Sequence, residues 1–484
     1  MTDRPAPGWP VLPFEQYMLD DDRPAAPMTF TVVWRLAGRV DCGRLRAAVA
    51  AACRQHPLLG CRVDRGRWVP VAGGVPFRLV PANAPRADPE TIDPRRDACL
   101  RVALVEPAAD AGEWELRLCF HHAVCDGVAA MEFSGDVFTA YRGGSLKTSG
   151  RGGSRRDPPV DPGLLADRGR LERPVVPGAT WRDAVRHFFS EGKLFLADRA
   201  VAIPAAAPPL RPVPDEPLPV RFSAAETATL RRLASDSEAT LNELLLAVLM
   251  TVIGRHCRQA GPHRSAAWLG VVKPVSMRPP RPARLPASNG IGYAFLRRPL
   301  ADCGAWRTLL PGIVADTRAV TRLGLAGCFH DALAVLCRLP GPLRRPLVRA
   351  MRPGSFVFSY LGDPLRRFPR ELRRAVGAGD HGGRQAGGLD LGDCQVVDFC
   401  GAPPPRPSTE LAILASLFGQ RLTLWLRPSA ALKAAAAWPA LAAAIDGSIR
   451  TLVLTEPPVA AAAAHSPPAD QPVTSRREAE QAGK

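Results

Sequence analysis

Residues Trp114–Phe133 read WELRLCFHHAVCDGVAAMEF, and two adjacent histidines close an apolar run there. The chain has only nine histidines in 484 residues, so the doublet asks for a cause. Trp114, Leu116, Leu118 and Phe120 are apolar, whereas Glu115 and Arg117 between them are charged. Such alternation marks a half-buried strand, because successive side chains point to opposite faces. His122 follows the apolar set inward, and His121 points the other way. A single inward histidine is ordinarily a satisfied core residue. This one stands at a strand-to-loop junction, ahead of AVCDG, a tight turn in which Gly127 permits a backbone path that other residues resist. A helix is expected next, with Val128, Met131, Val137, Phe138 and Tyr141 as packing positions.

Outward from this stretch, strand and helix patterns alternate. Met28–Gly38 is rich in β-branched residues and reads as a strand. Asp41 caps a helix that ends at Pro57 and turns Leu45, Ala48, Val49, Ala52 and Cys53 to one face. LLGCRVD and RWVPV read as short strands. Further on, SAAETATLRRLASDS and TLNELLLAVLMTVIGRHCR read as helices. AAWLGVVKPVSMR is a strand leaving at Arg278, and Gly354–Gly362 is another. ELAILASLFGQRLTLWLRP is a hairpin turning near Gly419–Gln420, and the alanine-rich stretch after it is one terminal helix. This mixture predicts α/β layers rather than an all-α or all-β fold.

The length predicts two units. The first covers 1–143 and carries the histidine doublet. Residues 144–219, rich in Gly, Ser and Pro, form a crossover linker with one helix over Thr180–Arg199. The second unit covers 220–455, and 456–484 is a disordered tail of Ala, Pro and charged residues.

Apolar content of 46% and charged content of 23% fit a soluble globular protein, but the net charge of +17 stands out. Its arginines are scattered, with no basic block interleaved with aromatics, which argues against a nucleic-acid partner. GC-rich coding accounts for arginine over lysine; a positive field drawing in a phosphate-bearing coenzyme or an acidic carrier protein is compatible with it. The twelve cysteines include no C-x-x-C pair and no zinc spacing, so neither disulfides nor a metal are expected. The N-terminus lacks a secretory pattern, and the most apolar run, Leu241–Gly254, is too short to span a bilayer. A cytoplasmic protein with free thiols is the expectation.

HHAVCDG, His121–Gly127, resembles the HHxxxDG signature of the chloramphenicol-acetyltransferase-like superfamily, which includes condensation domains, alcohol O-acetyltransferases and wax-ester synthases. Pro13–Phe30, Leu45–Val63, TLNELLLAVL, VVKPVSMR, NGIGYAF, FVFSYLG and LFGQRLTLWLRP resemble further elements in the same order, over roughly residues 9–454. DFCGAP, Asp398–Pro403, matches the plant-type DFGWG loop only weakly. The resemblance implies a monomeric pseudo-dimer, two α/β domains each with a mixed sheet flanked by helices, and a tunnel between them. It implies an acyltransferase that moves an acyl group from a thioester, acyl-coenzyme A as co-substrate with no tightly bound cofactor, to an acceptor hydroxyl. A condensation-type enzyme joining carrier-bound substrates, with an alcohol or amine acceptor, is the alternative, and a non-catalytic small-molecule binder is a third reading.

The resemblance makes His122 the candidate general base, a role suited to a group titrating near neutrality. No nucleophile is required, and Cys125 in its buried turn reads as inert. The resemblance turns Asp126 away from the site to pair with an arginine, here Arg278, while His121 supports the structure. Backbone N–H groups near Gly127, or Ser359 or Tyr360, are candidate donors to an oxyanion. Tyr360 stands where many relatives carry Asn.

Overall fold

The computed structural model describes residues 8–84, 91–108, 112–143, 160–171, 200–207, 216–261, 267–279, 284–373, 388–407 and 409–455. The first lobe contains β1 (Trp9–Pro10), α1 (Pro13–Asp21), β2 (Thr29–Gly38), α2 (Cys42–Gln55), β3 (Cys61–Asp64) and β4 (Arg67–Pro70). It continues with β5 (Phe77–Val80), β6 (Leu100–Val105), β7 (Glu113–His121) and α3 (Gly127–Tyr141). The second begins with β8 (Leu218–Arg221), α4 (Ala224–Asp236), α5 (Leu241–Gln259), β9 (Trp268–Ser276) and β10 (Ile291–Pro299). Three helices, α6 (Trp306–Leu323), α7 (Ala326–Leu336) and α8 (Gly341–Ala350), precede β11 (Phe356–Gly362). Then come β12 (Leu389–Asp390), β13 (Cys394–Gly401), β14 (Leu411–Phe418), β15 (Arg421–Pro428) and the terminal helix α9 (Trp438–Thr455).

Alternation in β7 has the outcome its pattern demands. Leu116, Leu118 and Phe120 are fully buried, and the strand pairs antiparallel with β2 and β6 in the centre of a six-stranded sheet ordered β12-β13-β2-β7-β6-β5. A second six-stranded sheet runs β10-β9-β11-β14-β15-β8, with β11 parallel to both its neighbours. Each sheet is mixed and covered by helices, the two-lobed α/β pseudo-dimer. One core lies between the first sheet and α2 and α3; the other lies between the second sheet and α4, α5, α6 and α9.

The lobes are not sequential. β12 and β13 belong to the second half by position, yet β13 pairs antiparallel with β2 along Gly401–Cys394 and so extends the first sheet. A boundary drawn through residues 220–455 therefore crosses both sheets. In return, the opposite face of the second sheet gives Leu414, Phe418 and Trp425 to the first core.

The expected linker is also partly built in. Leu165 is fully buried in the first core, and Val160 bridges to Arg284. The Arg168 guanidinium donates to both oxygens of Glu15, at 2.7 and 2.9 Å, and Trp68 Nε1 donates to the same carboxylate at 2.8 Å. The helix expected over 180–199 and the tail 456–484 lie outside the described residues. The single terminal helix expected after the hairpin is two: a short helix, Ala430–Ala434, stops and α9 starts afresh at Trp438. Pro439 explains the break, since proline fits a first helical turn and not an interior. The hairpin itself turns through Gly419 and Gln420, both at positive φ of 54° and 66°.

Among the described residues no cysteine is in a disulfide. Among the described residues no cluster of His, Cys, Asp or Glu could hold a metal, and no single helix is long and apolar enough to cross a membrane.

Candidate active site

His122 follows the last residue of β7, where its N–H donates to Met28 O at 2.8 Å and continues the pairing with β2. The ring packs on Phe30 with centroids 4.9 Å apart and is 8% exposed. On its other side is Asn289, just before β10. Asn289 Nδ2 donates to His122 O at 2.7 Å and lies 3.5 Å from His122 Nδ1. Burial is the largest influence on its pKa and holds it below the ordinary histidine value. Its own backbone and Asp126 favour the charged form less than burial disfavours it, and His121 and Arg406 add to the lowering. Burial thus favours the neutral imidazole over the charged one.

His121 is fully buried on the opposite side of the strand. Its Nδ1 accepts from Ala123 N–H at 3.3 Å, and its Nε2 faces Asp22 Oδ2 at 3.5 Å. Asp22 accepts from Met28 N–H at 2.8 Å. Burial raises its pKa, but His121 and that N–H outweigh burial and hold it low. His121 thus fastens the first turn of the chain after α1 behind the site.

Asp126 caps α3, accepting from Ala129 N–H at 3.0 Å. It also accepts from Gly290 N–H at 2.7 Å and, through both oxygens, from Arg278 Nη2 at 2.8 and 2.9 Å. Arg278 Nη2 donates to Ser288 O as well. The carboxylate is fully buried and is turned to α3, β9 and β10, so it is a clamp between the lobes. The Arg278 side chain lies across Gly290: a Cβ there would stand 3.0–3.2 Å from it and push the guanidinium aside. Gly127, the first residue of α3, faces Leu361 at the end of β11, with 3.9 Å from a Cβ to Leu361 Cδ1. That contact brings β11 to the loop carrying the doublet.

Within β11, Phe356, Phe358 and Tyr360 share one face and pack into the second core, whereas Val357, Ser359 and Leu361 share the other. Leu361 packs against the first core. Of the two expected donors, Ser359 is on the face towards the first lobe and Tyr360 is turned from it. The aromatic alternation at 356, 358 and 360 carried that signal in the sequence.

Cys125 is fully buried, and burial pushes its thiol well above the usual range, so it is no thiolate. A third polar group fixes the lobes: His56 Nε2 meets Asp136 at 3.0 Å, His56 Nδ1 accepts from Ala287 N–H at 2.7 Å, and Arg284 donates to Asp136 at 2.6 Å. Sequence reading missed Asn289 as a contact of His122, and it missed Arg406. The latter holds Asp21 at 2.8 Å and the Ala26 carbonyl at 2.6 Å, and its charge reaches His122.

No model of a protein family matches the sequence, and neither does the sequence of a curated protein. Solved structures do match. A trichothecene 15-O-acetyltransferase from Fusarium sporotrichioides superposes with a TM-score of 0.62 at 12% identity, over 93% of this chain and 94% of the other. The first condensation domain of the CDA synthetase gives 0.60 at 15% identity over 94% and 97%. Polyketide synthase associated protein 5 from Mycobacterium tuberculosis gives 0.58 at 17% over 92% and 99%. The chain has the chloramphenicol-acetyltransferase-like fold of condensation domains over nearly its whole length.

Proposed function

We propose that this chain is an acyltransferase, moving an acyl group from acyl-coenzyme A to an acceptor hydroxyl with His122 as general base. The observation that carries the reading is a buried imidazole at the junction of two lobes, with Asn289 Nδ2 3.5 Å from its Nδ1 and donating to its backbone carbonyl at 2.7 Å. In this reading Nε2 is the nitrogen that meets the substrate.

Nε2 accepts the proton of the acceptor hydroxyl as its oxygen bonds to the thioester carbon. The carbonyl electron pair moves onto oxygen, where the Ser359 hydroxyl and backbone N–H groups near Gly127 are the proposed donors. Collapse of the tetrahedral adduct breaks the C–S bond, and the imidazolium returns its proton to the departing thiolate. No acyl-enzyme forms, in keeping with a Cys125 thiol too basic to ionise. Seclusion between the lobes disfavours water as a competing acceptor.

The net charge of +17 favours a second donor, an acyl thioester on a separate acidic carrier protein, with an alcohol or amine acceptor. The deciding experiment offers the full chain a series of acyl-coenzyme A donors with alcohols and amines, with no carrier protein present. Release of free thiol with ester formation supports the first reading; turnover only with an acyl carrier moves the assignment to the second. His122→Ala should lower turnover by about a hundred- to ten-thousand-fold. An unchanged rate in folded protein would falsify the general-base role.

A further inference from the structure

Helix α8 is inside out. Arg344 and Val348, four residues apart, turn inward, and Arg344 Nε bonds the buried Asp20 carboxylate of α1 at 2.5 Å. Arg345 reaches the same carboxylate at 3.3 Å, and Arg349 Nε donates to Asp20 O at 3.1 Å. The side facing solvent is apolar instead: Pro342, Leu343, Pro346, Leu347 and Ala350 are all exposed. Leu343 is 61% and Leu347 50% exposed, and on the approach to this helix Val335 is 59% and Leu339 37% exposed. These four account for half of the eight large hydrophobic side chains exposed among the described residues, within thirteen positions. A soluble helix ordinarily buries such a face.

The rim of α8 is dominated by positive charge. No Asp or Glu occurs between Asp331 and Asp363, whereas Arg338, Arg345, Arg349 and Arg352 are exposed around the leucines. The apolar residues stand on a helix held from behind by α1 through the Asp20 ion pairs, with the arginines set around them. Leucines entering an acyl boundary with arginines at headgroup level is the arrangement of an interfacial helix, and a mainly positive rim favours anionic headgroups.

We infer that α8 and the preceding turn dock this protein reversibly on an anionic lipid surface. The inference is independent of the proposed chemistry. It is tested by floating the full chain with vesicles of phosphatidylcholine alone and of phosphatidylcholine mixed with phosphatidylglycerol. The wild type should partition onto the mixed vesicles about ten-fold or more above the neutral ones. Leu343→Asp with Leu347→Asp should abolish most of this binding without moving the thermal midpoint, since both side chains are exposed. Arg338→Gln with Arg352→Gln should weaken only the preference for anionic lipid. Failure of the wild type to float, or binding indifferent to the leucine changes, overturns the inference. So does a dimer, seen by sedimentation, that the leucine changes dissolve, because the face would then belong to a second copy.

Discussion

Replacing Arg278 by methionine removes the guanidinium from a carboxylate that is wholly out of solvent. Side-chain exposures of 17% for Arg278 and 0% for Asp126 put the pair on the scale of buried rather than surface ion pairs. Breaking such a pair from one side costs about 3–5 kcal/mol, because the remaining charge stays buried. Asp126 still accepts from Gly290 N–H and Ala129 N–H, so the lower end, about 3 kcal/mol, is expected for Arg278→Met. Asp126→Asn should cost a similar amount, about 3 kcal/mol, since its amide nitrogen must face a donor in place of an acceptor. With both changes the orphaned charge is gone, so the double variant should lose about 4 kcal/mol rather than about 6, a coupling of about 2 kcal/mol. Urea unfolding followed by tryptophan fluorescence and by circular dichroism measures this, coincident transitions licensing the two-state treatment. The reasoning fails if Arg278→Met costs under about 1 kcal/mol, or if the two losses add within about 0.5 kcal/mol.

The remaining predictions concern the site and its supports. Burial depresses the His122 pKa, so protonation, and with it loss of the base, begins only below the ordinary histidine value; kcat/KM should be flat through neutrality and fall on acidification below about pH 6.5. An acid limb centred above pH 7 would contradict a neutral buried base. Asn289→Ala removes the donor to His122 O and should lower kcat about ten-fold with little change in KM, a split that steady-state kinetics resolves. Equal changes in both would assign Asn289 to substrate binding instead. At Gly292 a Cβ would overlap the Met277 sulfur and stand 2.5 Å from the Ala326 carbonyl oxygen; Gly292→Ala should therefore destabilise by about 1–3 kcal/mol in the same unfolding assay.

Local patterns carried a good part of this protein. Period-two alternation in Trp114–Phe120 fixes which side of β7 is core, and the caps at Asp41, Thr240 and Ser223 start helices where the sequence places them. Partnerships across long distances are another matter. Arg278 and Asp126 are 152 residues apart, and no spacing rule links them; only the likeness of a whole string of segments did. Asn289 meets His122 across 167 residues, with no such guide. The choice of β2 as partner of β13 depends on the shape of the assembled sheet edge, which no window of sequence contains. Leu343 and Leu347 show the same limit: one turn apart they share a helix face, and only the Asp20 ion pairs, which turn the helix over, make that face the outward one.

The passage of β13 into the first sheet has a consequence for how this polypeptide can be divided. A fragment ending near Pro219 would leave the outer edge of β2 bare over seven positions, from Val32 to Gly38, an open template for stacking with other chains. The complementary fragment would carry an orphaned ribbon with nothing to lie against. Neither piece is a self-sufficient folding unit, so gene splitting, domain shuffling or limited proteolysis in the crossover should yield two halves that stay clasped or precipitate, and never two that part as free modules.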